Sequence, residues 1–124
     1  MNRILVLTTD QDLFSVVEDS LNKLEKVEIK TFDHSLELVN HYLSHYASLI
    51  ILDIDLLKHE TFQMIQVLRS IHAQTKIVLF LSPENMPICS SALSIGVLSY
   101  QIKPISEEKL VEIIASLLQI TVNH

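Results

Sequence analysis

The sequence predicts an α/β fold, a parallel sheet covered by helices on both faces, and three observations carry that expectation. Short apolar runs alternate with amphipathic helical stretches along the whole chain. Three of those runs are uniformly apolar, as strands buried on both faces are. The connections are short, with no linker, internal repeat or low-complexity segment between them.

Arg3–Leu7 is an apolar run ending in Thr8-Thr9 and reads as the first buried strand. Leu13, Val16, Val17, Leu21 and Leu24 then recur at helical spacing, with Asp10 placed as N-cap. Val27–Phe32 alternates with period two, as a half-exposed strand does. Ser35 is a candidate cap for a helix carrying Leu36, Val39, Tyr42, Leu43 and Tyr46. Leu49–Leu52 is the second continuous apolar strand and ends at Asp53. Thr61 is a candidate cap for the helix of Phe62, Ile65, Leu68 and Ile71. Ile77–Leu81 is the third apolar strand, closed by Ser82-Pro83. Ile88–Ile95 reads as the fourth helix, with Gly96 at the left-handed C′ position. Leu98–Ile102 is the fifth strand, before Lys103-Pro104. Ser106-Glu107-Glu108 opens a fifth helix bearing Leu110, Ile113, Ile114, Leu117 and Leu118, its acids suited to the positive end of the helix dipole.

Five βα units with right-handed crossovers give a flavodoxin-like (βα)5 three-layer sandwich with strand order 2-1-3-4-5. The apolar first, third and fourth strands belong in the middle, the alternating second and fifth at the edges. The 124 residues are expected to form one domain, 1–124. Hydrophobic residues are 48% and mean hydropathy is +0.34, yet no apolar run approaches the ~18 residues of a spanning helix. Asn2-Arg3 leads into too few apolar residues for a signal peptide, so a soluble, cytoplasmic protein is expected. Nine Lys and Arg against fifteen Asp and Glu, a net charge of −6, argue against a nucleic-acid footprint. The lone Cys89 cannot form an internal disulfide. A single glycine excludes P-loops and dinucleotide fingerprints, which need several where backbone approaches phosphate.

In such a sheet the chemistry sits beyond the carboxyl ends of the strands, near the switch between strands one and three. Delivered there are Thr8, Thr9 and Asp10, then Asp53 and Asp55, then Ser82, then Lys103. A carboxylate able to attack phosphorus, with a hydroxyl and an ammonium to hold its oxygens, makes a phosphoryl site.

With those residues in place the chain resembles the receiver domain of bacterial response regulators in two-component signalling. The carriers are L-I-I-L-D at 49–53, F-L-S at 80–82 and G-V-L-S-Y-Q-I-K-P at 96–104. The resemblance implies that Asp53 is the phosphoacceptor of a sensor histidine kinase, that Ser82 grips the phosphoryl group, and that Lys103 is the site lysine. It makes Tyr100 a switch residue with Ser82. It also implies a partner face, or a homodimer face, on the fourth helix, fifth strand and fifth helix, with Glu112 on it. Neither nucleic acid nor membrane is an expected partner.

The sequence departs from the family pattern in three places. The two acids expected after strand one to hold Mg2+ are Thr8 and Thr9, with Asp10 one position later and directed toward the helix start. The residue whose N–H should bind a phosphoryl oxygen is Pro83, which has none. The proline and glycine that shape the loop after the phosphoacceptor read Leu57 and Thr61. Asp53 and Lys103 neutralise each other and Asp55 leaves at most one uncompensated charge, so the demand for Mg2+ falls. Losing the metal and a backbone donor each raises the phosphoryl-transfer barrier, the donor by about 3–4 kcal/mol if it acts as in an oxyanion hole. Asp10, Asp53 and Asp55 remain the candidate ligands of a weak or lost Mg2+ site, with Asp55 a substitute for a missing one. The expectation is a degenerate receiver, phosphorylated weakly or not at all, signalling by protein contacts and having no enzyme activity, with a structural Asp53–Lys103 pair.

Two other readings compete: a fully phosphorylatable Mg2+-dependent receiver, and a haloacid-dehalogenase-like phosphatase using Asp53 and Asp55, for which the later acids are missing. Glu37, His41 and His45 share a helix stripe at metal-like spacing, more simply a solvated face. His59 reads as an exposed loop residue, Cys89 as a small core residue, and Thr61 and Ser106 as helix caps. Asn123-His124 ends the chain without an output domain, so contact with another protein, or a place in a longer chain, is expected.

Overall fold

The computed structural model describes residues 2–120 and Val122, so Asn123 and His124 lie outside the described residues. The strands are β1 (Asn2–Leu7), β2 (Val27–Phe32), β3 (Leu49–Asp53), β4 (Ile77–Leu81) and β5 (Ser99–Ile102). The helices are α1 (Gln11–Leu21), α2 (Ser35–Ser44), α3 (Ile54–Leu57), α4 (Thr61–Ile71), α5 (Met86–Leu93) and α6 (Glu107–Leu118). All pairings are parallel and the order is β2-β1-β3-β4-β5, the flavodoxin-like winding expected from the apolar pattern.

Side-chain alternation sorts the core into two layers. Leu5, Leu7, Ile50, Leu52, Leu79 and Leu81 face α2, α4 and α5. Ile4, Val6, Leu49, Ile51, Val78 and Phe80 face α1 and α6. Every residue of β3 and β4 is buried, whereas β2 alternates and β5 is half-buried, as edge strands are. Cys89 is fully buried in the α5 layer, where burial pushes its thiol pKa up.

Three local expectations are corrected. Ser35 does not cap α2: His34 holds the extended N-cap position and no side chain closes that end. Thr61 is not a cap either. It is buried and donates its hydroxyl to the Lys58 carbonyl at 2.6 Å, because a 3-10 turn over Lys58–Glu60 runs directly into α4. Gly96 stands two residues past the Ser94 C-cap, not one, yet it does adopt φ +91°. Asp10 and Ser106 cap α1 and α6 as expected.

Candidate functional site

The carboxyl ends of β1, β3 and β4 and the segment after β5 bring Thr8, Asp10, Asp53, Asp55, Ser82 and Lys103 together. Lys103 is the hub. Its Nζ lies 2.8 Å from Asp53 Oδ2, 2.9 Å from Asp10 Oδ2 and 3.0 Å from Asp55 Oδ2. Three carboxylates therefore share one ammonium, so Asp10 adds a charge that the simple Asp53–Lys103 pairing leaves out. The remaining negative charge is spread over a dense set of N–H and O–H donors.

Asp53 is 2% exposed, and both its oxygens are engaged. Oδ2 accepts the Thr8 hydroxyl at 2.6 Å as well as the lysine, and Oδ1 accepts the Asp55 N–H at 2.9 Å. That last bond makes Asp53 the N-cap of α3, a role it combines with its place at the strand end. Thr8 is fully buried, and its Oγ1 also accepts the Asp10 N–H at 3.0 Å. Thr9, beyond the end of β1, is exposed.

Asp10 does turn toward the helix start, where its Oδ1 accepts the N–H groups of Asp12 and Leu13. Burial opposes its ionisation, but Lys103 and those N–H groups outweigh burial and lower its pKa. Asp55 is bound more tightly. Its Oδ1 accepts the Ser82 N–H at 2.9 Å and the Asn85 side-chain amide at 2.6 Å, and its Oδ2 accepts the Ser82 hydroxyl at 2.6 Å. Burial again works against the charge, and the Ser82, Asn85 and Lys103 bonds together hold the carboxyl well below the usual range. On Lys103 burial pulls the pKa down, and Asp53, Asp10 and Asp55 more than offset it, raising it above the usual lysine value.

Pro83 opens a 3-10 turn over Pro83–Asn85 that carries Asn85 back to Asp55. Sequence reasoning missed Asn85, because nothing in its spacing marks it before the turn is known. It also missed the Thr8–Asp53 bond, which forms across the adjacent ends of β1 and β3. An open cleft of ≈ 330 Å3 is lined by Asp10, Ser82, Lys103 and Pro104, and Asp53 does not reach it.

This fold has counterparts among known proteins. Residues 4–115 match the family described as the response regulator receiver domain. The chain belongs to that family. A comparison with curated proteins finds no match. Among solved structures, the receiver domain is similar to a response regulator from Thermotoga maritima, at 16% identity and TM-score 0.83, over 96% of this chain and 98% of that one. It is similar to the chemotaxis response regulator CheY4 of Vibrio cholerae, at 17% identity and TM-score 0.78, over 94% and 98% of the two chains. A third structure belongs to streptococcal redox sensors described as evolved from two-component response regulators, at 18% identity and TM-score 0.84, over 96% of this chain and 52% of that one. At these identities the likeness is one of fold.

The receiver family implies Mg2+ beside the strand-three aspartate, and the donor set does not fit it. A Mg2+ ion takes near-octahedral oxygens at about 2.0–2.1 Å. Here the point where Asp10, Asp53 and Asp55 converge is taken by Lys103 Nζ, and Asp55 is committed to Ser82 and Asn85. Among the described residues no three His, Cys, Asp or Glu side chains are grouped so as to hold a metal ion. That holds for the helical stripe too. His41 and His45 stack with ring centroids 4.4 Å apart, His45 Nδ1 faces the His41 carbonyl, and Glu37 is exposed. His59 is exposed on its 3-10 turn. Tyr100 is half-buried against the α5 layer. No helix of the described residues is long and apolar enough to cross a membrane.

Proposed function

We propose that this receiver domain takes part in two-component signalling with a degenerate phosphorylation site, working through protein contacts and not as an enzyme. The observation that supports this reading is the closure of Asp53. The carboxylate that would attack phosphorus is 2% exposed, and Thr8, Lys103 and the Asp55 N–H engage both oxygens. To react, it would have to leave those bonds, without the Pro83 N–H to receive an oxygen and with an ammonium where the family uses a metal.

Asp53 is thus the would-be phosphoacceptor, with Ser82 and Lys103 as its would-be companions and Tyr100 as the would-be reporter. The contacts would run through α5, β5 and α6, where Leu93, Ile102 and Leu98 on the connection between α5 and β5 are 37%, 45% and 50% exposed. A sensor histidine kinase, another signalling protein or a second copy suits that face. Charge reversal at the exposed Glu112 should weaken such a contact.

The test is incubation with acetyl phosphate and Mg2+, followed by intact mass. The expected result is an unmodified mass. A phosphoryl adduct that disappears in Asp53→Asn would overturn the reading in favour of a working phosphorelay receiver.

A further inference from the structure

Helix α2 carries two apolar stripes, and the core uses one of them. Leu38 and Tyr42 are buried in the layer over the sheet. Leu36 and Leu43 are 70% and 64% exposed, and with Val39 between them they keep the three-and-four spacing of a helix-pairing seam. Tyr46, just past the end of α2, is 53% exposed. Its ring centroid lies 4.8 Å from that of His72, just past the end of α4. Between the two helices runs a groove of ≈ 320 Å3 lined by Leu36, Val39, Leu57, Met64 and Val67. Val67 is 40% exposed on its α4 side. Together they form one continuous apolar face, and monomers rarely leave such a face to water.

The chemistry of the face selects its occupant. α4 carries one charged residue, Arg69, which donates to the carbonyls of Ile95, Thr75 and Gly96. The groove has one charged lining residue, Glu60. An acidic or basic partner would find almost nothing to pair with. Each copy of the chain carries a net charge of −6, so two copies meet with least repulsion through a face nearly free of charge. The exposed Asn40 and Gln63 beside the apolar residues both donate and accept, so the rim can satisfy a copy of itself.

We propose that the α2–α4 face pairs with the same face of a second copy, about a two-fold axis that sets the helices antiparallel. Leu36 of one copy then lies beside Leu43 of the other, over the groove. Glu60, at the start of α4, comes near His72 beyond the end of the other copy's α4. Two helices of 10 and 11 residues, each about 15 Å long and about 10 Å apart, offer a few hundred Å2 per copy. That is below the roughly 800 Å2 per partner of a standard interface, so the dimer is weak and reversible. It uses neither β5 nor α6, which stay open to a signalling partner. The pairing goes beyond the reading of Asp53 and stands without it.

The experiment is sedimentation equilibrium of wild-type protein, Leu43→Asp and Leu98→Ser, from low micromolar to about 1 mM. The expected result is a reversible monomer–dimer equilibrium in wild type, weakened about tenfold or more in Leu43→Asp and unchanged in Leu98→Ser. A wild-type protein that stays monomeric throughout overturns the proposal and leaves the face to a different partner. So does a dimer that Leu43→Asp leaves as tight as wild type; loss in Leu98→Ser alone would place it on the α5, β5 and α6 face. Association beyond two copies overturns the closed two-fold pairing. Circular dichroism checks that Leu43→Asp is folded, and should it not be, Leu36→Ser carries the same expectation.

Discussion

Two corners of the sheet each hold a cation among oxygens, and they do it by different means. At the carboxyl ends, Lys103 is bound by three carboxylates. At the amino ends of β4 and β5, the Arg69 guanidinium is bound by three main-chain carbonyls, donating to Ile95 at 3.1 Å, to Thr75 at 3.4 Å and to Gly96. The first corner balances charge with charge and is tied to protonation. The second balances charge with dipoles and is not. The Arg69 corner is the less fully satisfied, its Nε being buried without a partner, and each corner is brittle to loss of one side.

The largest effect is expected from breaking the charged corner. Lys103→Ala leaves Asp10, Asp53 and Asp55 facing one another, and should lower stability by about 3–5 kcal/mol at neutral pH, the range for a buried pair that loses a partner. Urea denaturation at pH 7 measures this, and part of the loss should return in acid as the carboxylates take up protons. An unchanged midpoint would mean the cluster is not structural.

Gly96→Ala is the matching break in the dipolar corner. With φ +91° the site is strained for any side chain, and a Cβ would stand 2.7 Å from the Arg69 guanidinium. A loss of about 1–2 kcal/mol is expected from the left-handed backbone alone. The size of that loss should not vary with pH, unlike the loss in Lys103→Ala.

The pH profile sharpens the contrast in the wild-type protein. Asp55 has its folded pKa depressed below the ordinary 3.8, so its stabilisation is full above 3.8 and is lost as pH falls toward the folded value. Lys103 has its folded pKa raised above 10.5, so its stabilisation is full below 10.5 and is lost as pH rises beyond it. Thermal melts should therefore show an acid limb that is shallower in Asp55→Asn. An acid limb identical in wild type and Asp55→Asn would separate Asp55 from the cluster's energetics.

The smallest effects concern two serines that look alike in the sequence. Ser106→Ala should cost about 1 kcal/mol, because its hydroxyl accepts the Lys109 N–H at the start of α6. Ser35→Ala should stay within about 0.5 kcal/mol, since Ser35 is already inside α2. Denaturation midpoints of the two variants separate them.

Ser35 also marks where the sequence stops being legible. A serine ahead of an apolar stripe signals a helix start, but whether it stands at the cap or one residue inside depends on the backbone of His34. The strands were readable because burial on both faces leaves no room for polar residues in Leu49–Leu52 or Ile77–Leu81, and parity then assigns each side chain to a layer. The convergence of Asp10, Asp53, Asp55, Ser82 and Lys103 followed from strand order alone. Their partners within the cluster did not. The sequence places Asp55 two residues beyond Asp53 but does not show that α3 begins there at once and turns Asp55 toward Ser82. Asn85 enters only because Pro83 opens a 3-10 turn, and Thr8 serves Asp53 only because the β1 and β3 ends are adjacent and parallel.

The central claim is that Lys103 stands where a divalent cation would otherwise be held. Calorimetric titration of Mg2+ into wild-type protein and Lys103→Met tests it most directly. The account predicts no binding to wild type at millimolar Mg2+, and binding to Lys103→Met, whose three carboxylates are left without a cation. Millimolar binding to wild-type protein that is lost in Asp53→Asn would contradict it.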